Sequence, residues 1–229
     1  MTNPFTEEQG KAWGPGSFEM VHHLVKACGI RPGMRVLEVG GGSGHIASVL
    51  EKHWQVQVMT LEPWTDGSEI QETARRHGVE QQVLPLKLYA QQLPFADNTF
   101  DAIISIGSFE MIGEERPQAL RELTRVAKPG SRIGIAEPMR QEAPMPAELA
   151  QLDEEHKLGF QQCFSTLAWN MELFQAQGLQ PAEASYFSEA AVWWKEYAEQ
   201  ADISEAEKTL IRSDRGRWLS LGMVVGEKV

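Results

Sequence analysis

Three glycines at alternating positions, Gly40, Gly42 and Gly44, follow the apolar run Val36-Leu37-Glu38-Val39, and a second acid, Glu62, ends the next apolar run. The first run reads as a buried strand entering a glycine turn and then a helix. Without Cβ atoms the turn lets backbone approach a flat, polar ligand closely, while Glu38 sets a carboxylate at the carboxyl end of the strand. An acid beside such a turn suits a nucleoside that carries a cationic group. Solvated strand-end carboxylates are the common fate of isolated acids, but the joint spacing of Glu38 and Glu62 about one turn argues for a shared ligand.

The elements that must position these residues alternate along the chain. Ser17 is placed to cap a helix whose apolar positions Phe18, Val21, Leu24, Val25 and Cys28 keep helical spacing up to Gly29. The strand Arg35–Val39 follows, then a helix over 43–53, a strand over 56–61, a helix over 69–77 stopped by Gly78, and a strand over 83–88. Phe100–Ile106 reads as a strand. Pro117 opens a helix reaching 127, and a Lys128-Pro129-Gly130 turn leads into a strand over 132–136. Strands alternating with helices predict a parallel sheet covered on both faces. After Glu137 the prolines 138, 144 and 146 break the chain, 147–158 reads as an extra helix, and 140–164 reads as an insertion over the sheet. Ser165 is placed to cap a helix running to 177, and strands over 182–187 and 218–225 close the pattern.

With 229 residues, 42% of them hydrophobic, the chain suffices for one α/β domain with a full core. A net charge of -11 opposes attraction to phosphate backbones and anionic lipid, so nucleic acid is a poor partner. Cys28 and Cys163 lack any disulfide or zinc-ligand spacing, which predicts no metal and fits a reducing compartment. Residues 1–9 are polar and acidic, and no apolar run has the length of a membrane span. A cytoplasmic protein with no membrane insertion is expected, as a monomer or homodimer.

Four ordered features carry a resemblance to class I S-adenosylmethionine-dependent methyltransferases of the bacterial small-molecule type. Glu38-x-Gly40-x-Gly42-x-Gly44 is similar to the family's first motif, and Glu62 stands where the family places an acid on the ribose hydroxyls. Leu93-Pro94-Phe95-x-Asp97-x-x-Phe100-Asp101 resembles its link into the fourth strand. Leu120-x-Glu122-x-x-Arg125-Val126-x-Lys128-Pro129-Gly130 resembles its helix and turn before the fifth. A glycine-rich strand–turn–helix also serves nicotinamide and flavin enzymes, and Gly42-x-Gly44-x-x-Ala47 meets the looser dinucleotide pattern. Counted from Gly40, however, the sixth position is His45, and no second nucleotide-binding half follows.

The resemblance implies a Rossmann-like, doubly wound, seven-stranded, mostly parallel sheet with an antiparallel last strand, helices on both faces and a lid insertion. Within one domain over 1–229 it implies a cofactor-covering segment at 1–29, a cofactor-binding core at 30–137, a lid at 138–164, and sheet completion with the acceptor pocket at 165–229. The implied cofactor is S-adenosyl-L-methionine, with S-adenosyl-L-homocysteine as product and no metal. Gly40 and Gly42 would line the methionine half, Glu38 and Gly44 would belong to the same cofactor site, and Glu62 would accept the ribose hydroxyls. Pro63 and Trp64 would cover one face of adenine, Ala90 and Gln91 would sit at its edge, and Ile106 would border the site. Trp13-Gly14-Pro15-Gly16-Ser17 resembles a segment that covers the cofactor in some bacterial members, which assigns Trp13 and Ser17 to it. Tyr89 stands where relatives often carry an acid near adenine, leaving the base's amino group to Gln91 or to backbone.

The reaction implied is in-line displacement of the sulfonium methyl by a small-molecule acceptor through O, N, S or C. Methylene or alkyl transfer from the same cofactor, and a noncatalytic binding module, are alternatives. Glu110 is the favoured proton acceptor because the end of the fourth strand faces the methyl group in this family, and His22 is a second candidate. Many relatives have histidine at the Glu110 position. Phe109, Trp193, Trp194 and Tyr197 are candidate substrate-binding residues, their ring faces suited to an apolar or cationic acceptor. Trp169 and Phe187 read as core.

Overall fold

The computed structural model describes residues 2–8, 10, 13–199 and 202–229. Seven strands form one sheet: β1 (Arg35–Val39), β2 (Gln57–Leu61), β3 (Val83–Leu86), β4 (Phe100–Ile106), β5 (Ala127–Arg140), β6 (Leu179–Tyr186) and β7 (Leu219–Lys228). Their order is β3-β2-β1-β4-β5-β7-β6. Pairing is parallel from β3 through β5, and β7 runs antiparallel to both β5 and β6. The strand order reverses between β1 and β4, where the crevice of a doubly wound sheet lies at the carboxyl ends of the strands.

Period-two alternation sends the strand side chains to two cores. Val36, Val58, Ala102 and Ile104 pack on one face with α2 (Ser17–Ala27), α3 (His45–Trp54) and α4 (Ser68–His77). Leu37, Leu61, Ile103, Ile133 and Ile135 pack on the other with α5 (Arg116–Val126) and α8 (Leu167–Ala176). Each fully buried side chain of this size contributes about 1.5–3 kcal/mol. Helix α2 lies so close to β5 that a Cβ on Gly134 would stand 2.6 Å from Leu24 Cδ1 and 2.7 Å from Cys28 Sγ. Burial pushes the Cys28 thiol up to about 12, so it behaves as an inert core residue.

A short helix α1 (Pro4–Glu7), absent from the sequence expectation, pins the amino-terminal segment to α3. Phe5 is fully buried against Trp54, and Glu8 binds Lys52 at 2.7 Å and His53 at 3.1 Å. Those two partners pull the Glu8 carboxyl down to about 2. Between β5 and α8 lie α6 (Ala147–His156) and α7 (Phe160–Cys163), joined by Asp153, whose carboxylate accepts the N–H groups of Phe160 at 2.9 Å and Gln161 at 3.0 Å. Helices α9 (Ala190–Ala198) and α10 (Glu205–Asp214) connect β6 to β7.

Three local expectations are corrected. The N-cap of α2 is Gly16 in the left-handed region (φ 60), and the Ser17 hydroxyl instead donates to the Gly14 carbonyl at 2.9 Å. Thr166, not Ser165, caps α8 by accepting from the Trp169 N–H at 3.1 Å. Lys128-Pro129-Gly130 does not separate α5 from β5: the strand begins at Ala127, opposite Phe100, and the register slips before Ala102 pairs with Arg132. The three residues are absorbed as an irregularity within the strand pairing.

Candidate functional site

A cavity of about 330 Å³ opens at the carboxyl ends of β1, β2 and β4. The glycine elbow forms its floor, and the N–H groups of Gly40 (2.9 Å) and Gly41 (3.0 Å) both donate to the Leu61 carbonyl, which fixes the elbow to the end of β2. Gly40 has φ 85, and a Cβ there would stand 2.0 Å from Ser108 Oγ. That hydroxyl donates to the Val39 carbonyl at 2.7 Å, locking the residues after β4 onto the end of β1. Gly42 (φ 50) is different, since a Cβ there would meet only the Trp13 ring, 3.7 Å away, at the cavity itself. Gly44 (φ 80) lies outside the cavity, and its missing Cβ accommodates Ile70 on α4. Of the three glycines, Gly42 fits the expected close approach to a ligand most directly; Gly44 serves helix packing.

Glu62 lines the cavity with its carboxylate held from both sides. Oε2 accepts the Gly42 N–H at 3.0 Å and Oε1 accepts the Trp64 N–H at 3.2 Å. A carboxylate has about four lone-pair positions, so both oxygens keep capacity for a ligand diol. Pro63, Trp64, Leu88, Tyr89, Ala90 and Gln91 form a largely apolar recess beside it. The Gln91 amide donates to Glu115 at 2.8 Å, which leaves its carbonyl oxygen as the acceptor available to a base. Ile106 borders the same cavity. Trp13, Trp64, Tyr89 and Met111 are all exposed large apolar side chains, and all four line this one cavity.

A smaller lobe of about 50 Å³ continues past Gly42 between the amino ends of α2 and α3, lined by Trp13, Ser17 and Ser43 among others. Unpaired N–H groups at helix starts suit a carboxylate.

Glu38 is not where an open ligand contact needs it. It is 0% exposed, lines neither lobe, and has no hydrogen-bond partner for either oxygen among the described residues. Burial pushes its carboxyl up to about 8, against a smaller downward pull from Thr60. Burial therefore holds the acid largely in its protonated form at neutral pH.

Glu110 lies just beyond β4 in a 3₁₀ turn (Glu110–Glu115) whose Met111, Ile112 and Glu115 line the cavity. Its own side chain is buried behind that turn, next to Glu137 at the end of β5. Glu137 and Arg116 have no role in the sequence reading, because only the folded sheet edge brings them to Glu110. The remaining candidates do not line the cavity. His22 is half-buried on α2 with Nδ1 unpartnered, and burial lowers its pKa. Phe109 is core. Trp194 is core as well, its indole N–H donating to the Ser220 carbonyl at 3.1 Å, with Tyr197 edge-on to it. Trp193 packs over Gly16 and against Phe187. Among the described residues no three His, Cys, Asp or Glu side chains converge as a metal site, and no helix is long and apolar enough to cross a membrane.

A doubly wound sheet of this strand order, with a glycine elbow tied to an acid at the end of β2, defines the fold of class I S-adenosylmethionine-dependent methyltransferases. Residues 37–135 match the family described as Methyltransferase domain, and the chain carries such a domain there. The ubiquinone/menaquinone biosynthesis C-methyltransferase UbiE of Laribacter hongkongensis is 35% identical over 122 residues, covering 51% of this chain and 48% of that protein. The chain thus spans about half the length of the curated relatives it matches. Two solved structures share the fold over most of the chain. The [4+2]-cyclase SpnF superposes with a TM-score of 0.78 at 21% identity, covering 97% of this chain and 85% of its own. A geranyl diphosphate methyltransferase in complex with S-adenosylmethionine gives 0.77 at 16% identity, with coverages of 92% and 85%.

Proposed function

We propose that the chain transfers the methyl group of S-adenosylmethionine to a small organic acceptor by in-line displacement, releasing S-adenosylhomocysteine. The observation that carries this reading is Glu62: a carboxylate oriented by the N–H groups of Gly42 and Trp64, set in the wall of a mostly apolar cavity. The ribose diol sits on Glu62. Adenine lies in the recess of Pro63, Trp64, Ala90 and Gln91, and the methionine end reaches the lobe at Trp13 and Ser17. The geranyl diphosphate methyltransferase of the same fold holds this cofactor, which supports the placement. A sulfonium methyl needs little beyond in-line placement of its acceptor and exclusion of water. Glu110, on the turn whose Met111, Ile112 and Glu115 line the cavity, is the proton acceptor in this reading.

SpnF, a cyclase of the same fold, makes the reaction itself the point to test. Incubation with the donor and fractionated small molecules should yield S-adenosylhomocysteine together with an acceptor heavier by one methyl group. Release of methylthioadenosine would indicate a different transfer, and tight donor uptake with no product across a broad acceptor set would indicate a binding module.

A further inference from the structure

Among the described residues, the densest buried charge outside the cavity lies where the 3₁₀ turn meets β5 near its carboxyl end. Glu110 is 3% exposed, Glu137 1% and Arg116 5%, and they come from the turn, β5 and the first turn of α5. The Glu110 N–H donates to Glu137 Oε2 at 3.0 Å. Arg116 Nε donates to the Gly113 carbonyl at 3.0 Å, and its guanidinium stands 4.3 Å from the centre of the Trp169 ring. Glu110 Oε2 and Arg116 Nη1 remain fully buried with no hydrogen-bond partner among the described residues.

Two carboxylates this close, out of water, cannot both stay ionised: desolvation costs several kcal/mol per ion, and like charges add to it. One guanidinium balances one negative charge. We propose that Glu110 and Glu137 hold a single proton between them beside Arg116, and that Glu137 is a positioning residue that holds the Glu110 carboxylate ready to accept a proton from an O–H or N–H methyl acceptor. The second half of this inference rests on the methyl-transfer reading above.

The electrostatics agree with the geometry. Burial raises Glu110 to about 7, and burial together with the facing Glu110 raises Glu137 well above the ordinary carboxyl range. Arg116 pulls both down. Cys163 on α7 is the other titratable group close by, and burial with the nearby Glu110 raises its thiol, so it adds no charge at neutral pH. In the reaction, the acceptor X–H gives its proton to Glu110, and the lone pair on X forms the bond to the methyl carbon. The carbon–sulfur bond breaks with its electrons left on sulfur as a neutral thioether. Loss of the proton from Glu110 to solvent restores the singly protonated pair.

Infrared difference spectroscopy on glutamate-labelled protein tests the shared proton with no donor or acceptor present. At about pH 8 the wild type should keep a buried carboxylic-acid band that Glu137→Gln removes, with Glu38→Gln as the control for the other buried acid. A band indifferent to Glu137→Gln, or a pair fully ionised at that pH, would overturn the proposal. Once an acceptor is in hand, Glu137→Leu should lower kcat at neutral pH by about tenfold, moving the acidic limb of the profile upward without changing donor KM. Glu137→Gln, which still donates a hydrogen bond to Glu110, should restore it; an unmoved limb in the leucine variant would remove the positioning role. Failure of the methyl-transfer reading shows separately, as an intact shared-proton band with no S-adenosylhomocysteine formed.

Discussion

Glu62 and the Glu110–Glu137 pair lie along one edge of the sheet, yet their charge is handled in opposite ways. Glu62 ends β2 at a cavity wall, and main-chain N–H groups of Gly42 and Trp64 hold both its oxygens. The pair, Glu110 just past β4 and Glu137 within β5, shares one N–H, while the nearby guanidinium bonds the Gly113 carbonyl instead, and a carboxyl oxygen and a guanidinium nitrogen are left unpartnered. A site made from backbone is ready for a ligand in the resting protein. A site made from buried side chains depends on where a proton sits.

That contrast is broken most directly by exchanging carboxylates for neutral groups on each side. Glu62→Ala removes the acceptor of two N–H groups and of the proposed ribose diol, bonds worth about 1.5–3 kcal/mol each when charge-assisted, so the dissociation constant for S-adenosylhomocysteine should rise at least about tenfold. Glu110→Gln should leave the same constant within about twofold while lowering turnover. Calorimetric titration of both variants decides the matter: equal losses would mean the two acids belong to one site.

The next effect is in pH. Glu38 and Glu110 have folded-state values of about 8 and about 7, above the ordinary 4.5 of an unfolded glutamate. A raised acid contributes its stability in full below the unfolded value and loses it as pH rises toward the folded value. The apo protein should therefore lose stability, and melt at progressively lower temperature, between about pH 5 and pH 8, the loss being on the order of 3–5 kcal/mol for Glu38 alone. Glu38→Gln should flatten that slope. If the cationic end of the donor engages Glu38 from beneath the elbow, binding near pH 7 should release protons, read as a dependence of calorimetric heat on the buffer's ionisation enthalpy. Glu38→Gln should abolish the release, and its absence in the wild type would leave Glu38 as a sealed structural acid.

The same contrast explains what was legible in the sequence. Arg35–Val39 and Phe100–Ile106 are read to the residue, because continuous apolar runs between turn residues leave a parallel strand little choice. Glu62 is legible because its place beside the glycine elbow follows from a fixed distance along one β-α-β unit. Ser108 is not, since its importance lies in contacts with Gly40 and the Val39 carbonyl that only the pairing of β1 with β4 creates. Glu137 and Arg116 are hidden for the same reason. The tryptophans mislead in the other direction. A dense aromatic run looks like a pocket, but Trp194 packs with Phe160 and Phe164 and spends its N–H on Ser220, which is how a late helix is fastened to the sheet.

The smallest effects come from the two tryptophans that flank the contrasted acids. Trp13 is 51% exposed, and its ring lies at the Gly42 position where a ligand would pass. Removing it by Trp13→Ala should cost donor binding about 1 kcal/mol, a several-fold weaker constant, with little change in stability because the ring buries only half its surface. Trp169 instead stands under the Arg116 guanidinium at 4.3 Å. Trp169→Ala should cost stability by about 0.5–2 kcal/mol through the lost cation–π contact and leave donor affinity unchanged. Measured side by side by melting and titration, the two variants should move opposite readouts. A Trp169→Ala protein with weakened donor binding would show that the carboxyl pair and the cofactor cavity are mechanically joined through the 3₁₀ turn rather than separately built.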